Sequence, residues 1–236
     1  MRQTIGGLHA RPRIAGALYL LTIVTGVLAQ YLGGGLVAAG DAASTASSIS
    51  AHITQFRFAF LADLVMTASY VAVTACFYEL FKSASRSLSL VAACLSLVGC
   101  AVLASSLLFY LATLFVLGDT AYLSAFTSDQ VQAIAMLSIK FKAYAYIVAL
   151  TFFGFYCLLI GLLIFKSRII PKFIGVLMTI AGLAWLTYAW PPLAASLSPY
   201  TGLPGLIGEG TLALWLLIRG AATKNSSRDV ASIPHV

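Results

Sequence analysis

Six apolar runs, each close to the length needed to cross a bilayer, divide this chain: Ile14 to Leu32, Phe58 to Phe81, Leu88 to Leu117, Ala143 to Phe165, Phe173 to Trp190 and Leu203 to Ile218. A hydrocarbon core of ~30 Å takes about 20 apolar residues of helix to span. Hydrophobic residues make up 61% of the chain and charged residues 9%, and the mean hydropathy is +0.97. Such a composition excludes an ordinary water-soluble domain. In lipid the backbone must satisfy its own hydrogen bonds, so spans are helices or closed barrels. The period-2 alternation of a membrane barrel is absent. The sequence therefore predicts an all-α integral membrane protein, a six-transmembrane-helix bundle over residues 1–220, with a polar cytoplasmic tail over 221–236.

The formal net charge is +7, and its placement gives an orientation. Eleven basic residues, Arg2, Arg11, Arg13, Lys82, Arg86, Lys166, Arg168, Lys172, Arg219, Lys224 and Arg228, fall on one side of the spans, against three, Arg57, Lys140 and Lys142, on the other. The positive-inside rule then puts both termini and the short basic loops in the cytoplasm. An even number of spans agrees with that. The basic residues are expected to meet lipid headgroups, with no nucleic acid as a partner. The first run is too long for the apolar region of a signal peptide, and "GVLAQYLGGG" offers no cleavage site. Asn225-Ser226-Ser227 matches a glycosylation sequon, expected to be unused on the cytoplasmic side. Oligomerisation is left open by the sequence.

The two longer loops, Gly33 to Gln55 and Gly118 to Phe141, are expected on the outer side. In the first, "DAASTASSISAHITQF" mixes small polar and scattered apolar residues, as a short surface helix or ordered interfacial loop would. In the second, Thr127 and Gln130 have capping-box spacing, so the fourth helix is predicted to begin outside the membrane and run without proline to Phe165, roughly 50 Å at 1.5 Å per residue. "PRIAGAL" at Pro12 and "PKFIGVL" at Pro171 share Pro-basic-x-x-Gly-x-Leu at a helix entrance. Proline suits a first turn and glycine permits close helix approach, so convergence accounts for the match as well as duplication does. In the third span Ala92, Ser96, Cys100 and Ala104 recur every four residues as a small packing face. The cysteines, Cys76, Cys94, Cys100 and Cys157, read as buried small hydrophobes.

Polar groups inside the spans are few, which makes each informative. Asp63, Thr67, Tyr70, Thr74 and Tyr78 form one stripe down the second span, predicted to face the bundle interior. Glu209 interrupts "LIGEGTLALWLL". It lies about six residues into the last span and Asp63 about five into the second, so both carboxylates are expected ~8 to 9 Å below the outer boundary. A charge at a span centre costs ~2.5 to 3.5 kcal/mol on insertion scales, so each acid needs an offsetting role. Two readings compete, ahead of a third in which one of the acids is a catalytic acid or base. In one, Asp63, Thr67, Tyr70, Lys142 and Glu209 line an outward-facing pocket that binds or moves a small ligand, a cation or a proton. In the other, the acids are bonded to their neighbours and serve helix packing in a structural or assembly protein. Arg57 and Lys140 are expected to snorkel to the headgroups, whereas Lys142 lies deeper and is the better partner for a buried acid. Glu79 and Lys82 have the spacing of a local ion pair. Trp185, Tyr188, Trp190 and Tyr200 read first as an aromatic belt and second as pocket walls.

Catalysis has little to build on. His9, His52 and His235 all fall outside the spans, so no histidine cluster is expected to hold a metal or haem, and no cofactor is predicted. "GGG" at Gly33 lacks the spacing of a nucleotide-binding loop. No serine has a histidine base placed for it.

"RIAGALYLL", the long stretch from Phe152 to Leu186, and "IGEGTLALWLLIRG" together resemble the DUF4386 family of bacterial multi-pass membrane proteins. The resemblance implies six membrane helices and a bacterial inner-membrane location, and it implies no substrate. By that resemblance Arg13, Gly16, Tyr19, Gly154, Pro171, Gly175, Glu209 and Trp215 fall on motif positions. Lys142 stands where the family pattern has a histidine upstream of Phe-Phe-Gly, which argues against carrying over a histidine-based proton-transfer or metal role.

Overall fold

A computed structural model of the chain describes residues 6–118, 121–167 and 169–219. The tail 221–236, the Asn225 sequon, and Arg2, Arg168, Lys224 and Arg228 lie outside the described residues. All regular structure among the described residues is helical: α1 (Gly6–Gly34), α2 (Ala42–Ala51), α3 (Ile53–Phe81), α4 (Arg86–Val116), α5 (Ser128–Lys166), α6 (Lys172–Leu186), α7 (Pro191–Ser196) and α8 (Leu203–Arg219), with short 3-10 turns between some of them. Six helices are long and apolar enough to cross a membrane.

These six helices close into a ring in chain order. Each spanning helix packs on the next, α1 on α3, α3 on α4, α4 on α5, α5 on α6 and α6 on α8, and α8 returns to α1. Glycine makes the tightest seams. A Cβ on Gly16 would lie 2.5 Å from the backbone N of Leu217, so only a bare backbone lets α1 meet α8 there. Between α5 and α6, a Cβ on Gly182 would meet the Gly154 carbonyl at 2.7 Å, and one on Gly161 the Gly175 carbonyl at 2.9 Å. Small residues thus set the helix spacing, as expected where lipid tails give no hydrophobic drive to helix pairing.

The ring interior is filled by aromatic side chains from α1, α3 and α5. Tyr19 meets Tyr70 and Phe77 edge-on, and Tyr70 packs across the ring on Phe153 with centroids 4.3 Å apart. Below them, toward the end carrying Lys82, Arg86, Lys166, Lys172 and Arg219, apolar residues such as Phe81, Ile164, Ile174 and Leu216 close the core. At that basic end Lys82 and Glu79 form a 2.7 Å ion pair.

At the opposite end, α5 starts at Ser128 behind a capping box in which Thr127 Oγ1 accepts from the Gln130 N–H and the Gln130 side chain accepts from the Thr127 N–H. With 39 residues, α5 is about 58 Å long at 1.5 Å per residue, well beyond a bilayer's apolar core. The short helix α2, capped by Asp41, docks against α5 and α3 with Ile49 fully buried. Gln55 donates from Nε2 to the Leu32 carbonyl at 2.9 Å and covers the end of α1.

Several boundaries differ from the sequence reading. α3 begins at Ile53 rather than Phe58, because His52 accommodates the turn out of α2. α6 stops at Leu186 and passes into a 3-10 turn before Trp190. Pro12 lies within α1 rather than in its first turn, since the helix starts at Gly6. Ala104 is exposed, not part of a packing face: four-residue steps drift around a 3.6-residue helix, and the buried line instead runs through Ser96, Cys100, Leu103 and Leu107.

Candidate functional site

The polar stripe of α3 faces inward over most of its length. Asp63, Thr67, Tyr70 and Thr74 are buried, and Tyr78 is half-buried. Two of its hydroxyls are spent locally: Thr67 donates to the Asp63 carbonyl at 2.8 Å, and Thr74 shares a 2.6 Å bond with Ser96 of α4. Asp63 is 3% exposed and is matched by Lys142 of α5, whose Nζ stands 2.9 Å from Oδ2. The contact is ionic rather than an aligned hydrogen bond, and Oδ1 has no hydrogen-bonding partner. The same ammonium lies 5.1 Å from the Tyr110 ring centroid and 5.9 Å from that of Tyr146, within cation–π range. Arg57 and Lys140 are exposed on the outside of the bundle.

Glu209 has a different environment. It is 8% exposed, and no Lys or Arg among the described residues forms an ion pair with it. Oε1 accepts from the Trp185 indole N–H at 2.7 Å and from the Cys157 thiol at 3.6 Å. These two donors tie α8 to α6 and α5. The Tyr19 hydroxyl, buried on α1, also lies beside this carboxylate but makes no hydrogen bond of good geometry. The buried hydroxyls of Tyr70 and Tyr156 are likewise without partners. Three tyrosine O–H groups and one carboxylate therefore meet in the middle of an apolar bundle.

Above Glu209, away from the basic end, is a cavity of about 350 Å³. Its walls are mainly apolar, with Thr22, Gln30, Tyr70, Tyr146, Trp185 and Glu209 as the groups that carry polar atoms. A second cavity of about 310 Å³ is lined by Lys142, Tyr110 and the outer turns of α1. Gln30 and Tyr146 line both and form the partition between them. Of the residues singled out in the sequence, Glu209 and Tyr70 line the first cavity and Lys142 the second, while Asp63 and Thr67 line neither. The two acids are thus in separate surroundings, one paired with a lysine and one facing open space.

Trp185, Gln30 and Tyr146 were not singled out by sequence as partners of the acid. Trp185 carries the signature of a belt residue, and only the packing of α6 on α8 turns its N–H inward. A Cβ on Gly205 would collide with the Trp185 ring, so the glycine is what admits the indole. No group of three or more His, Cys, Asp or Glu side chains suited to a metal occurs among the described residues.

Six apolar helices packed around a core that buries a few polar side chains define a multi-pass helical membrane protein. Residues 14–220 match the family model described as Domain of unknown function (DUF4386), and the chain belongs to that family. No match was found among curated proteins or among solved structures.

Proposed function

We propose that this protein binds a small cationic ligand, an organic amine, in the cavity above Glu209, and that it does so in the inner membrane of a bacterium with its basic end in the cytoplasm. One observation carries the reading: Glu209, in a helix long and apolar enough to cross a membrane, is a carboxylate on the wall of a cavity, with two donors on one oxygen and, among the described residues, no cationic side chain opposite. A cavity of about 350 Å³ is within the ~300 to 1,000 Å³ of small-molecule sites, and apolar walls with a few convergent polar groups are their usual character. The aromatic faces of Tyr70, Tyr146 and Trp185 would add cation–π attraction to the carboxylate's charge. Asp63 supports the assignment by contrast, because Lys142 already meets its charge. The orientation rests on the bias of basic residues to one end.

The test is a thermal melt of the purified chain with a series of organic amines, since a ligand that binds only the folded state raises the midpoint. Wild type should melt higher as amine is added, and Glu209→Gln should not. An equal shift in both would remove the proposal. A second reading has its own support: the bonds from Trp185 and Cys157 make Glu209 a tie among three helices, the role expected of a packing acid. It predicts no amine-dependent shift in wild type, and a loss of stability in Glu209→Ala alone.

A further inference from the structure

The Glu209 cavity reaches exposed apolar side chains of α1 and α8, with Pro199 and Gly202 at its outer end. At the basic half of the bundle, α1 and α8 are in backbone contact at Gly16, whose Cβ would lie 2.7 Å from the Ala213 carbonyl. Toward the other end the two helices turn to different neighbours. On α1, Gly26 approaches Met66 of α3 and Gly33 approaches Tyr110 of α4. On α8, Gly205 approaches Trp185 and Gly208 the Leu177 carbonyl, both on α6. Beyond the Gly16 contact the cavity is lined by Ile23 and Val27 from α1 on one lip and by Leu203 and Leu206 from α8 on the other. Val27, Leu203 and Leu206 are 54%, 48% and 43% exposed, and all three lie in helices long and apolar enough to cross a membrane. Among the described residues, Glu209 at its inner wall is the one charged residue that lines the cavity.

We infer that the ligand is a lipophilic amine that reaches Glu209 from the bilayer, through the gap between α1 and α8, with its ammonium pointing inward and its apolar body between the lips. This rests on the amine-binding reading of Glu209 and adds the route and the class of molecule. A charged end alone would be held back by lipid, and an apolar molecule without a donor would leave the carboxylate unmet. A molecule with both parts matches the wall and the mouth together.

The experiment uses the full chain in lipid nanodiscs, with Trp190→Phe and Trp215→Phe so that Trp185, which donates to Glu209, is the remaining indole. Octylamine is mixed in and its association followed by Trp185 fluorescence. Octylamine should bind more tightly than propylamine at equal aqueous concentration and more tightly than 1-octanol. Val27→Phe with Leu206→Phe should slow association by at least about tenfold by narrowing the lips, and Val27→Ala with Leu206→Ala should speed it. The alanine pair keeps the test usable if the bulky pair fails to fold. An association rate unmoved by both pairs, with binding still lost in Glu209→Gln, overturns the lateral route and leaves the amine site standing. Binding that survives Glu209→Gln overturns the site itself. Octanol or propylamine binding as well as octylamine overturns the ligand class.

Discussion

Lys142 and Asp63 join two helices, α5 and α3, that are separated in the ring by α4: Nζ of one lies 2.9 Å from Oδ2 of the other. The pair is a strut across the interior, and its value lies in the mutual cancellation of two charges that neither helix could bury alone. Removing one partner of a buried pair typically costs ~3 to 5 kcal/mol, because the remaining charge is left without compensation. Asp63→Asn or Lys142→Met should each lower the melting midpoint sharply in detergent. The double substitution should recover most of the loss, and a double mutant no more stable than the singles would refute the strut.

Glu209 is held by its acceptor atom as much as by its charge. Glu209→Gln keeps a carbonyl oxygen for the Trp185 N–H and should cost about 1 kcal/mol or less, whereas Glu209→Ala leaves that half-buried donor unmet and should cost ~1 to 3 kcal/mol. Trp185→Phe should resemble the alanine variant. Chemical denaturation of the three side by side separates the packing contribution of this acid from any ligand effect.

The α5–α6 seam predicts a contrast between glycines. A Cβ on Gly182 would sit 2.7 Å from the Gly154 carbonyl, but one on Gly210 would have nothing within 4 Å. Gly182→Ala should therefore destabilise by ~1 to 3 kcal/mol, the usual cost of overpacking. Gly210→Ala should stabilise by up to ~1 kcal/mol through helix propensity. Thermal melts of the two variants check both signs.

Acid should loosen α2. The Asp41 carboxylate accepts from the Ser44 backbone N–H at 2.9 Å, and this bond holds its pKa below the ordinary carboxylate value. A carboxylate with a depressed folded-state pKa contributes stability that is fully present above its unfolded value of ~3.9 and is lost as pH falls through the folded value. Amide exchange across Ser44 to Ala51, corrected for the intrinsic pH dependence, should rise over that acidic window. In Asp41→Ala it should already be fast at neutral pH and gain nothing further from acid.

Much of this architecture is legible in the residues because lipid imposes simple rules. Long apolar runs become spans, Thr127 with Gln130 becomes a cap, and a polar stripe such as Asp63 to Thr74 must turn inward. Lys142 is legible as the partner of a buried acid, but which of the two acids it meets is not. Equal depth placed Asp63 and Glu209 level with each other, but the order of helices around the ring gave Asp63 to Lys142 and Glu209 to Trp185. Those partners are chosen by inter-helix contact at glycines such as Gly205 and Gly182, and periodicity within one helix carries no record of its neighbour. Gln30 and Tyr146 were missed for the same reason, since they acquire a shared role only where two cavities adjoin.

The Gly16 seam joins the first span of the ring to the last. During synthesis every other contact between neighbouring spans becomes available as soon as the next helix is inserted, but this one must wait until α8 has left the ribosome. Until then α1 presents a bare glycine edge to lipid, and Glu209 has not yet entered the membrane. The bundle consequently acquires Glu209 and its final seam in the same step, so completion of the ring and creation of the Glu209 site are one event.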